Sequence, residues 1–299
     1  MRSTARGAVI ILIFSFIISQ LTCSFAMDYK ALHERADTLD LDQALADAQA
    51  NPGSVEDLYI LGLVYLNKHK DREAGEAFNK TASLDPGSIE AKWGRAEVWR
   101  RQDKIEESEK LLNEILEGNP DFAPALITMA YIQYTKTNFA KSVALARRVI
   151  AEGQDNIDLS NYTRAYLLVG GGKGMLASQG GVLAKLIHGT AVLPNLKKAE
   201  QFQPDSPAVL FGLGSFYFLA PMLAGGNKEK ALDYLERAVK KDPLFADAYV
   251  RLAQIYKTKG EDEKSRQFLK KALEIDPDNA LALDAQSDQC KFLCVTLEQ

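Results

Sequence analysis

The sequence predicts an all-α solenoid, in which helical hairpins stack side by side and bury their apolar faces only against their neighbours. Prolines recur at an interval of 34 residues, and each ends an apolar helical pattern, as in Leu84-Asp85-Pro86. A small residue, Gly62 or Ala253, stands at the same place in the first helix of a repeat, where two helices approach closely. The prolines with this spacing are Pro52, Pro86 and Pro120, and Pro243 and Pro277.

Residues 1–26 have the pattern of a secretory signal. Arg2 and Arg6 precede an apolar stretch over 7–21, and a small residue, Ala26, follows where cleavage would occur. We expect the mature chain to begin near Met27 and to be secreted or periplasmic. Two alternatives stay open, an uncleaved N-terminal membrane anchor and lipid attachment at Cys23. The apolar run is shorter than the roughly 18 residues that span a bilayer, and the residues before Cys23 fit a lipidation signal poorly.

Residues 27–54 are predicted to form a partial repeat that caps the stack. The pattern indicates one helix from about Tyr29 to Asp37 and a second from about Asp40 to Asn51. Three units follow over residues 55–156, beginning at Val55, Ile89 and Ala123. The third of these is degenerate, because its second helix ends at residues 152–153 without a proline.

The repeat register is lost over residues 157–206, for which we expect an irregular helical hairpin with a glycine-rich turn. Two further units are predicted over residues 207–279, beginning at Pro207 and Ala246. The first of them carries five extra residues around Ala220 to Gly226, which indicates a longer loop between its helices. Residues 280–299 form a C-terminal cap or tail.

These units resemble the tetratricopeptide repeat (TPR), which has the same 34-residue period. The resemblance implies a right-handed superhelix of hairpins, with the first helix of each hairpin lining a concave surface. It is carried by residues of the units that begin at Val55, Ile89 and Ala246. They are Leu58, Leu61, Gly62, Tyr65, Ala74 and Phe78; Ala96, Trp99, Leu112, Ile115 and Pro120; and Tyr249, Leu252, Ala253, Tyr256, Leu269, Ala272 and Pro277.

The resemblance also implies which side chains point into the groove, namely those at positions 2, 5, 9, 12 and 13 of each unit, counted from the unit's first residue. Large aromatic and arginine side chains at these positions have the composition of protein-binding hot spots. Packing between repeats is the alternative role for the same aromatic residues. The predicted partner-binding groove residues are Tyr59, Asn67, Trp93, Arg100, Arg101, Tyr131 and Tyr134.

A glycine-rich segment around Lys173 invites comparison with a phosphate-binding loop, but the glycine required six residues before that lysine is Leu167. The glycines either permit close helix approach and a tight bend or belong to a loop that contacts a ligand or partner. The residues of this candidate loop are Gly170, Gly172, Lys173 and Gly174, together with Pro221, Gly225 and Gly226.

Residues 210–231 resemble the T-component of TRAP transporters, periplasmic TPR-like proteins with a Pro…Gly-Gly…Lys-Ala signature. The matching residues are Pro221, Gly225, Gly226, Lys230 and Ala231. This resemblance implies an accessory protein that meets a solute-binding protein and receives a small solute, and that is homotrimeric in some members. The repeats at residues 55, 89 and 246 are more regular than that family's usual helices.

Composition and motifs argue against several functions. Without residues 1–26 the chain has 34 basic and 40 acidic residues, a net charge of −6, which disfavours a nucleic-acid partner. His33, His69 and His188 are far apart and are expected to be ordinary surface or interface residues, so we predict neither a metal site nor a cofactor. No nucleophile motif is present, and we do not expect an enzyme. Cys290 and Cys294 could pair only if the tail unwound locally.

The favoured hypothesis is a periplasmic scaffold or adaptor that presents its concave groove to a partner protein. The alternative is a transport accessory that binds a small solute or a solute-binding protein. A closed apolar pocket between residues 170–181 and the loop 221–226 would favour this alternative. We expect membrane contact only transiently, through the signal peptide, and a homo-oligomer stays open.

Overall fold

The computed structural model describes residues 28–287, and the regular structure of this region is helical. The predicted signal peptide, Cys23, Cys290 and Cys294 lie outside it. The helices are α1 (Tyr29–Thr38), α2 (Leu41–Ala50), α3 (Val55–Asn67), α4 (Asp71–Leu84), α5 (Ile89–Arg101), α6 (Ile105–Gly118), α7 (Ala123–Thr135), α8 (Phe139–Ala151), α9 (Leu159–Gln179), α10 (Val182–Ala184), α11 (Val192–Phe202), α12 (Pro207–Leu219), α13 (Lys228–Lys241), α14 (Ala246–Thr258), α15 (Asp262–Ile275) and α16 (Ala280–Ser287). A π-helical turn, Lys185–Gly189, continues α10, and a 3₁₀ turn, Met222–Ala224, follows α12.

The helices form two layers. Hairpins pair α3 with α4, α5 with α6, α7 with α8, α12 with α13 and α14 with α15. The first helices also contact one another, α3 with α5, α5 with α7 and α12 with α14, so they make the inner layer of the superhelix. The protein is therefore a TPR-type α-solenoid with an inserted helical hairpin, as the sequence predicted.

Close approach of neighbouring hairpins depends on glycine. The Phe78 ring lies between the backbones of α3 and α5, where a Cβ on either Gly62 or Gly94 would come within 2.5 Å of a ring atom. The phenylalanine is fully buried. An aromatic ring thus fills the space that two glycines leave, and this packing sets the distance between the first two full repeats.

The turns within the hairpins share one backbone conformation. The residue at position 15 of the unit has positive φ in the first, second, third and last full units, at His69 (56°), Asp103 (59°), Thr137 (61°) and Gly260 (74°). This left-handed geometry costs about 1–2 kcal/mol for residues other than glycine. The same turn therefore recurs at position 15 of these four units even where the local sequence does not favour it.

The inserted hairpin differs from the prediction in its glycine-rich segment. Helix α9 runs without a break through Gly170, Gly172 and Gly174, and the chain turns later, at Gly180 and Gly181. The ligand-contacting loop predicted at the first three glycines was therefore wrong, whereas the alternative, close helix approach, describes Gly170 and Gly172. The physical reason is close packing. A Cβ on Gly172 would lie 2.6 Å from Val143 Cγ2, and one on Gly170 would lie 2.8 Å from Leu196 Cδ2.

A loop over residues 220–227 joins α12 to α13. Gly225 has a positive φ of 100°, and the amide of Asn227 donates to the Tyr217 carbonyl at 2.7 Å. The Asn227 side chain then accepts from the Lys230 amide and begins α13. Within residues 28–287, no helix combines the length and hydrophobicity that crossing a membrane requires.

Candidate functional site

Helix α1 lies against the inner layer instead of continuing the stack outward. It packs along α3 and reaches the first turn of α9. The Tyr29 ring is edge-on to Phe122 at 5.2 Å, and the Lys30 ammonium donates to the Asp155 carbonyl at 2.7 Å. The first turn of α1 is thereby joined to the far end of the third repeat. One part of the concave groove is occupied by the chain's own N-terminal helix.

His33 is the polar centre of this contact. Its Nε2 lies 2.8 Å from the Tyr59 hydroxyl, and its Nδ1 lies 3.7 Å from Asp158 Oδ1. The three side chains are buried. Burial acts to raise the pKa of Asp158, but the hydrogen bond and charge of His33, with bonds from Asn161, leave it below its ordinary value. Burial raises the pKa of the Tyr59 hydroxyl, and the negative charge of Glu90 adds to this rise.

Two predicted groove residues are therefore unavailable to a partner. Tyr59 is fully buried, and Trp93 is 2% exposed, with its ring 5.2 Å from that of His33. The indole Nε1 of Trp93 donates to Thr128 Oγ1 at 3.0 Å, which connects α5 to α7. The prediction that these two side chains face an open groove was wrong, because α1 covers them. Both side chains instead pack between helices, which is the alternative role that the sequence left open for them.

Arg100 and Arg101 share the buried carboxylate of Glu97. Arg100 forms a two-pronged pair with it, at 2.7 and 2.9 Å, and Arg101 Nε donates to it at 3.1 Å. Burial opposes ionisation of Glu97, but the charges and hydrogen bonds of the arginines hold its pKa far below its usual range. Arg101 also donates to the Leu66 carbonyl and to Asp71. Arg101 thus joins α5 to α3 and α4, whereas Arg100 pairs with Glu97 within α5.

The third predicted polar residue, Asn67, is exposed at the end of α3. Its side-chain amide lies 3.5 Å from Asp37 of α1. The contact is long for a hydrogen bond, so Asn67 stays accessible at the rim of the covered region.

Beyond α1 the inner surface is open. Tyr131 is 42% exposed, and the Arg100 guanidinium lies 4.4 Å from the centre of its ring. Tyr134 is half-buried, packed edge-on against Phe139 and beside Gly171 of α9. Burial raises the pKa of Tyr134 to about 12, although the positive charge of Arg251 opposes the rise. These two tyrosines are the predicted groove aromatics that the structure leaves accessible.

Helix α14 completes this surface from the other end of the solenoid. Arg251 is 6% exposed; its Nη1 donates to Gln254 at 2.7 Å, and its Nε has no hydrogen-bond partner. Burial lowers the pKa of Arg251, while the nearby Tyr134 and Asp247 act to raise it. For the carboxylate of Asp247, burial raises the pKa, although a hydrogen bond from Asn279 acts to lower it. We call Arg100, Tyr131, Tyr134, Asp247 and Arg251 the α7/α14 face.

The sequence analysis missed Asp247 and Arg251. Asp247 occupies position 2 of its unit, which the repeat pattern assigns to the concave surface, so the same rule that selected Tyr131 could have found it. Arg251 occupies position 6, which the pattern does not assign to the groove. Only the approach of α14 to α7 across the superhelix reveals its role.

The residues of the predicted ligand loop do not form one site. Gly170, Gly172, Lys173 and Gly174 lie within α9, whereas Pro221, Gly225 and Gly226 lie in the loop between α12 and α13. Lys173 Nζ instead lies 3.0 Å from His188 Nδ1, in the turn that follows α10. A single loop built from both segments was therefore a wrong prediction, because the first segment is helical.

A small cavity opens beside α1, with a volume of about 30 Å³, enough for roughly one water. Charged residues from α5 and α9, among them Glu97, Arg101 and Arg164, line it together with His33 and Trp93. None of its lining residues comes from segments 170–181 or 221–226, so it does not support the solute-binding alternative. Among residues 28–287, no group of three or more His, Cys, Asp or Glu side chains is placed to hold a metal.

A family profile for the tetratricopeptide repeat matches residues 222–288. No curated protein matches the chain at a significant level. The chain is similar in structure to the Cut9–Hcn1 hetero-tetramer of the APC/C, with 16% identity and a TM-score of 0.59 over 87% of this chain and 48% of that one. It therefore spans about half of that relative's length.

Two further structures are similar. A tetratricopeptide repeat protein from Parabacteroides merdae has 17% identity and a TM-score of 0.53, covering 87% of this chain and 98% of that one. A monomeric mutant of IFIT1, determined with Gppp-AAAA, has 18% identity and a TM-score of 0.55, covering 83% of this chain and 63% of that one. At these identities the likeness concerns the fold, and the chain has the fold of a TPR-type α-solenoid.

Proposed function

We propose that the protein is a binding scaffold that holds an extended segment of a partner protein on the α7/α14 face. The observation that carries this proposal is the combination of an exposed Tyr131, stacked under Arg100, with the buried Arg251 on the opposite side of the groove. Aromatic and arginine side chains give much contact area at low entropic cost, as in binding hot spots. The TPR fold, which commonly serves protein interaction, supports the same reading.

The chemistry of the face indicates what the segment carries. The unpartnered Nε of Arg251 can donate to a carboxylate, and burial makes such a charge-assisted bond stronger than it would be in water. Tyr131 and Tyr134 would pack against an aliphatic or aromatic side chain next to it. We therefore propose a partner segment in which an acidic residue stands beside an apolar one.

We also propose that the scaffold works outside the cytoplasm, after cleavage near Ala26. The support is the sequence pattern of residues 1–26. N-terminal sequencing of the protein recovered from cells tests this. A mature N-terminus near Met27 is the expected result, whereas an intact Met1 or a lipid-modified Cys23 would contradict it.

The binding proposal is tested by photo-crosslinking in living cells. A photoreactive phenylalanine analogue replaces Tyr131 in one variant and Leu84, an exposed residue on the outer helix α4, in a matched control. We expect a specific protein adduct from position 131 only. In a third variant, Arg251→Leu is combined with the position 131 probe, and the adduct should fall by at least about tenfold, the loss typical of one charged partner.

Two results would contradict the proposal. Identical adducts from positions 131 and 84 would show that contact is not confined to the groove. An adduct from position 131 that Arg251→Leu leaves unchanged, in a variant with normal thermal stability, would show that the arginine does not take part.

A further inference from the structure

The short helical segment between α9 and α11 has its apolar side turned outward. Val182, Leu183, Leu186 and Ile187 are 85%, 69%, 67% and 56% exposed. Their spacing, i, i+1, i+4 and i+5, puts them on one side of a helix. On the other side, Ala184 lies against the turn at Gly180, and His188 contacts Lys173. A soluble surface helix normally has the opposite orientation, with its apolar stripe toward the core.

A second exposed apolar pair lies at the same edge of the solenoid. Met222 is 86% exposed and Leu223 is fully exposed, in the loop between α12 and α13. Helices α9, α11, α12 and α13 contact one another in sequence. Helix α11 runs antiparallel to α9, with Gly170 beside Leu196 and Gly174 beside Val192, and the short connections make the following neighbours antiparallel as well. The turn after α9 and the loop after α12 are therefore on the same side. We call these six side chains the apolar edge. Single exposed apolar residues are ordinary, but a group of this kind indicates an interaction surface.

The charge of this region differs from that of the whole protein. The chain carries 40 acidic and 36 basic residues, but residues 159–199 contain no aspartate or glutamate. The basic residues of this stretch nearest the apolar edge are Lys173, which contacts His188, and the exposed Lys185. Arg164 lies toward the other end of α9, and Lys197 pairs with Glu200. Near the second loop, Lys228 and Lys230 are exposed beside a single acidic residue, Glu229. The apolar edge is thus set in a locally cationic part of an acidic protein.

We propose that the apolar edge docks the protein onto an anionic lipid bilayer, as a peripheral contact that does not span it. Apolar side chains flanked by lysines are the combination that binds the headgroup region of a membrane. The apolar groups insert between acyl chains, and the lysines attract anionic headgroups. The charge of residues 159–199 favours a lipid surface over a second copy of this acidic chain. This contact is independent of the α7/α14 face and leaves the groove free.

The test uses the full chain with vesicles of phosphatidylcholine, alone or mixed with phosphatidylglycerol and brominated lipid. A single tryptophan is added in Leu186→Trp, in Leu223→Trp and in the control Leu84→Trp. We expect brominated lipid to quench the added fluorescence at positions 186 and 223, and not at 84. Quenching should require phosphatidylglycerol and weaken with added salt, because counterions screen the lysines. All variants have the same N-terminal segment, so a difference in quenching between them reports contact at the apolar edge and not contact through the N-terminus.

A second pair of variants measures the strength of the contact. Leu186→Ser combined with Ile187→Ser should lower the vesicle partition coefficient by about tenfold or more, whereas Leu84→Ser should leave it unchanged. Equal quenching at positions 186 and 84 would overturn the proposal, as would an unaltered partition coefficient in the double variant. It would also be overturned by an oligomer in solution that the double variant converts to monomers, since the edge would then be an interface between copies.

Discussion

At the scale of single residues, Glu97 is the carboxylate that two arginines share in the inner layer. One carboxylate, 5% exposed, is shared by Arg100 and Arg101 and also accepts a bond from Thr128. Through Arg101 it connects α5 to the end of α3, and through Thr128 it connects α5 to α7. Removing one partner of such a buried network is costly, because the remaining charges stay buried without compensation.

The pKa of Glu97 leads to a prediction for acid stability. Its pKa in the fold lies below the ordinary value of 4.5, so its contribution is complete above that value and is lost as the pH falls below it. We expect Glu97→Gln to lower the free energy of unfolding by about 3 kcal/mol at neutral pH. The difference from wild type should narrow below about pH 4, because Glu97 then gains a proton in the unfolded chain while it stays ionised in the fold. Urea unfolding across this pH range measures both effects.

Glu90 provides the control for this prediction. It is equally buried. Burial raises the pKa of Glu90 in the fold, because the hydrogen bonds that act to lower it are weaker than the effect of burial. A raised carboxyl pKa means that ionisation of Glu90 destabilises the fold. Its contribution to the free energy of unfolding is therefore lost as the pH rises through that pKa. Glu90→Gln should therefore cause much less destabilisation at neutral pH than Glu97→Gln. Equal losses for the two variants, constant with pH, would show that the Glu97 network is not the cause.

At the scale of single elements, α9 shows how packing overrides helix propensity. Each interior glycine costs about 1 kcal/mol relative to alanine, yet four of them occur over residues 170–174 of one 21-residue helix. Gly172 faces the buried Val143 of α8, and Gly170 faces Leu196 of α11. These two let the neighbouring helices approach closely, whereas Gly174 has only ordinary contacts, with Val192 at 3.8 Å.

Alanine substitutions in α9 should therefore have opposite effects. Gly172→Ala is expected to lower the free energy of unfolding by about 1–3 kcal/mol, because its methyl group would overlap Val143. Gly174→Ala should raise it by up to about 1 kcal/mol through helix propensity alone. Chemical denaturation of the two variants beside wild type measures the difference. If both substitutions stabilised the protein, the close contact with α8 would be refuted.

At the scale of the whole molecule, the superhelix brings its two ends together. The turn between α3 and α4 meets the turn between α13 and α14, where His69 Nε2 lies 2.9 Å from Asp242 Oδ2. Burial acts to raise the pKa of Asp242, but bonds from His69 and from the Leu244 amide leave it lowered. The contact spans 173 residues of sequence and helps to set the width of the groove.

Breaking the contact between His69 and Asp242 should let the two turns separate more easily without unfolding the protein. The pair is partly exposed, so His69→Ala should change the free energy of unfolding by no more than about 1 kcal/mol. Amide hydrogen exchange near residues 68–70 and 242–245 should accelerate by about fivefold or more, because the local opening becomes easier. Arg266→Ala, which breaks the exposed pair with Glu263 on α15, is the control. Exchange that rises equally in both variants would contradict a specific role for His69.

The fold class could be predicted from the sequence because a repeat encodes its structure locally. The 34-residue proline spacing, the small residue Gly62 and the apolar face around Phe78 recur where each hairpin meets the next, and neighbours in the stack are neighbours in sequence. The signal peptide and a pairing of Cys290 with Cys294 stay predictions, since they lie outside residues 28–287. The groove was predicted only in part: Tyr131 and Tyr134 are accessible, whereas Tyr59 and Trp93 are buried.

The sequence by itself thus determined a solenoid of helical hairpins and supplied candidate residues for its groove. Only the tertiary structure decided which of those residues remain open to a partner. Helix α1 covers Trp93 from 60 residues away, and α14 brings Arg251 to Tyr134 from more than 100. The physical reason is that burial depends on contacts between segments distant in sequence, which a local repeat pattern does not encode.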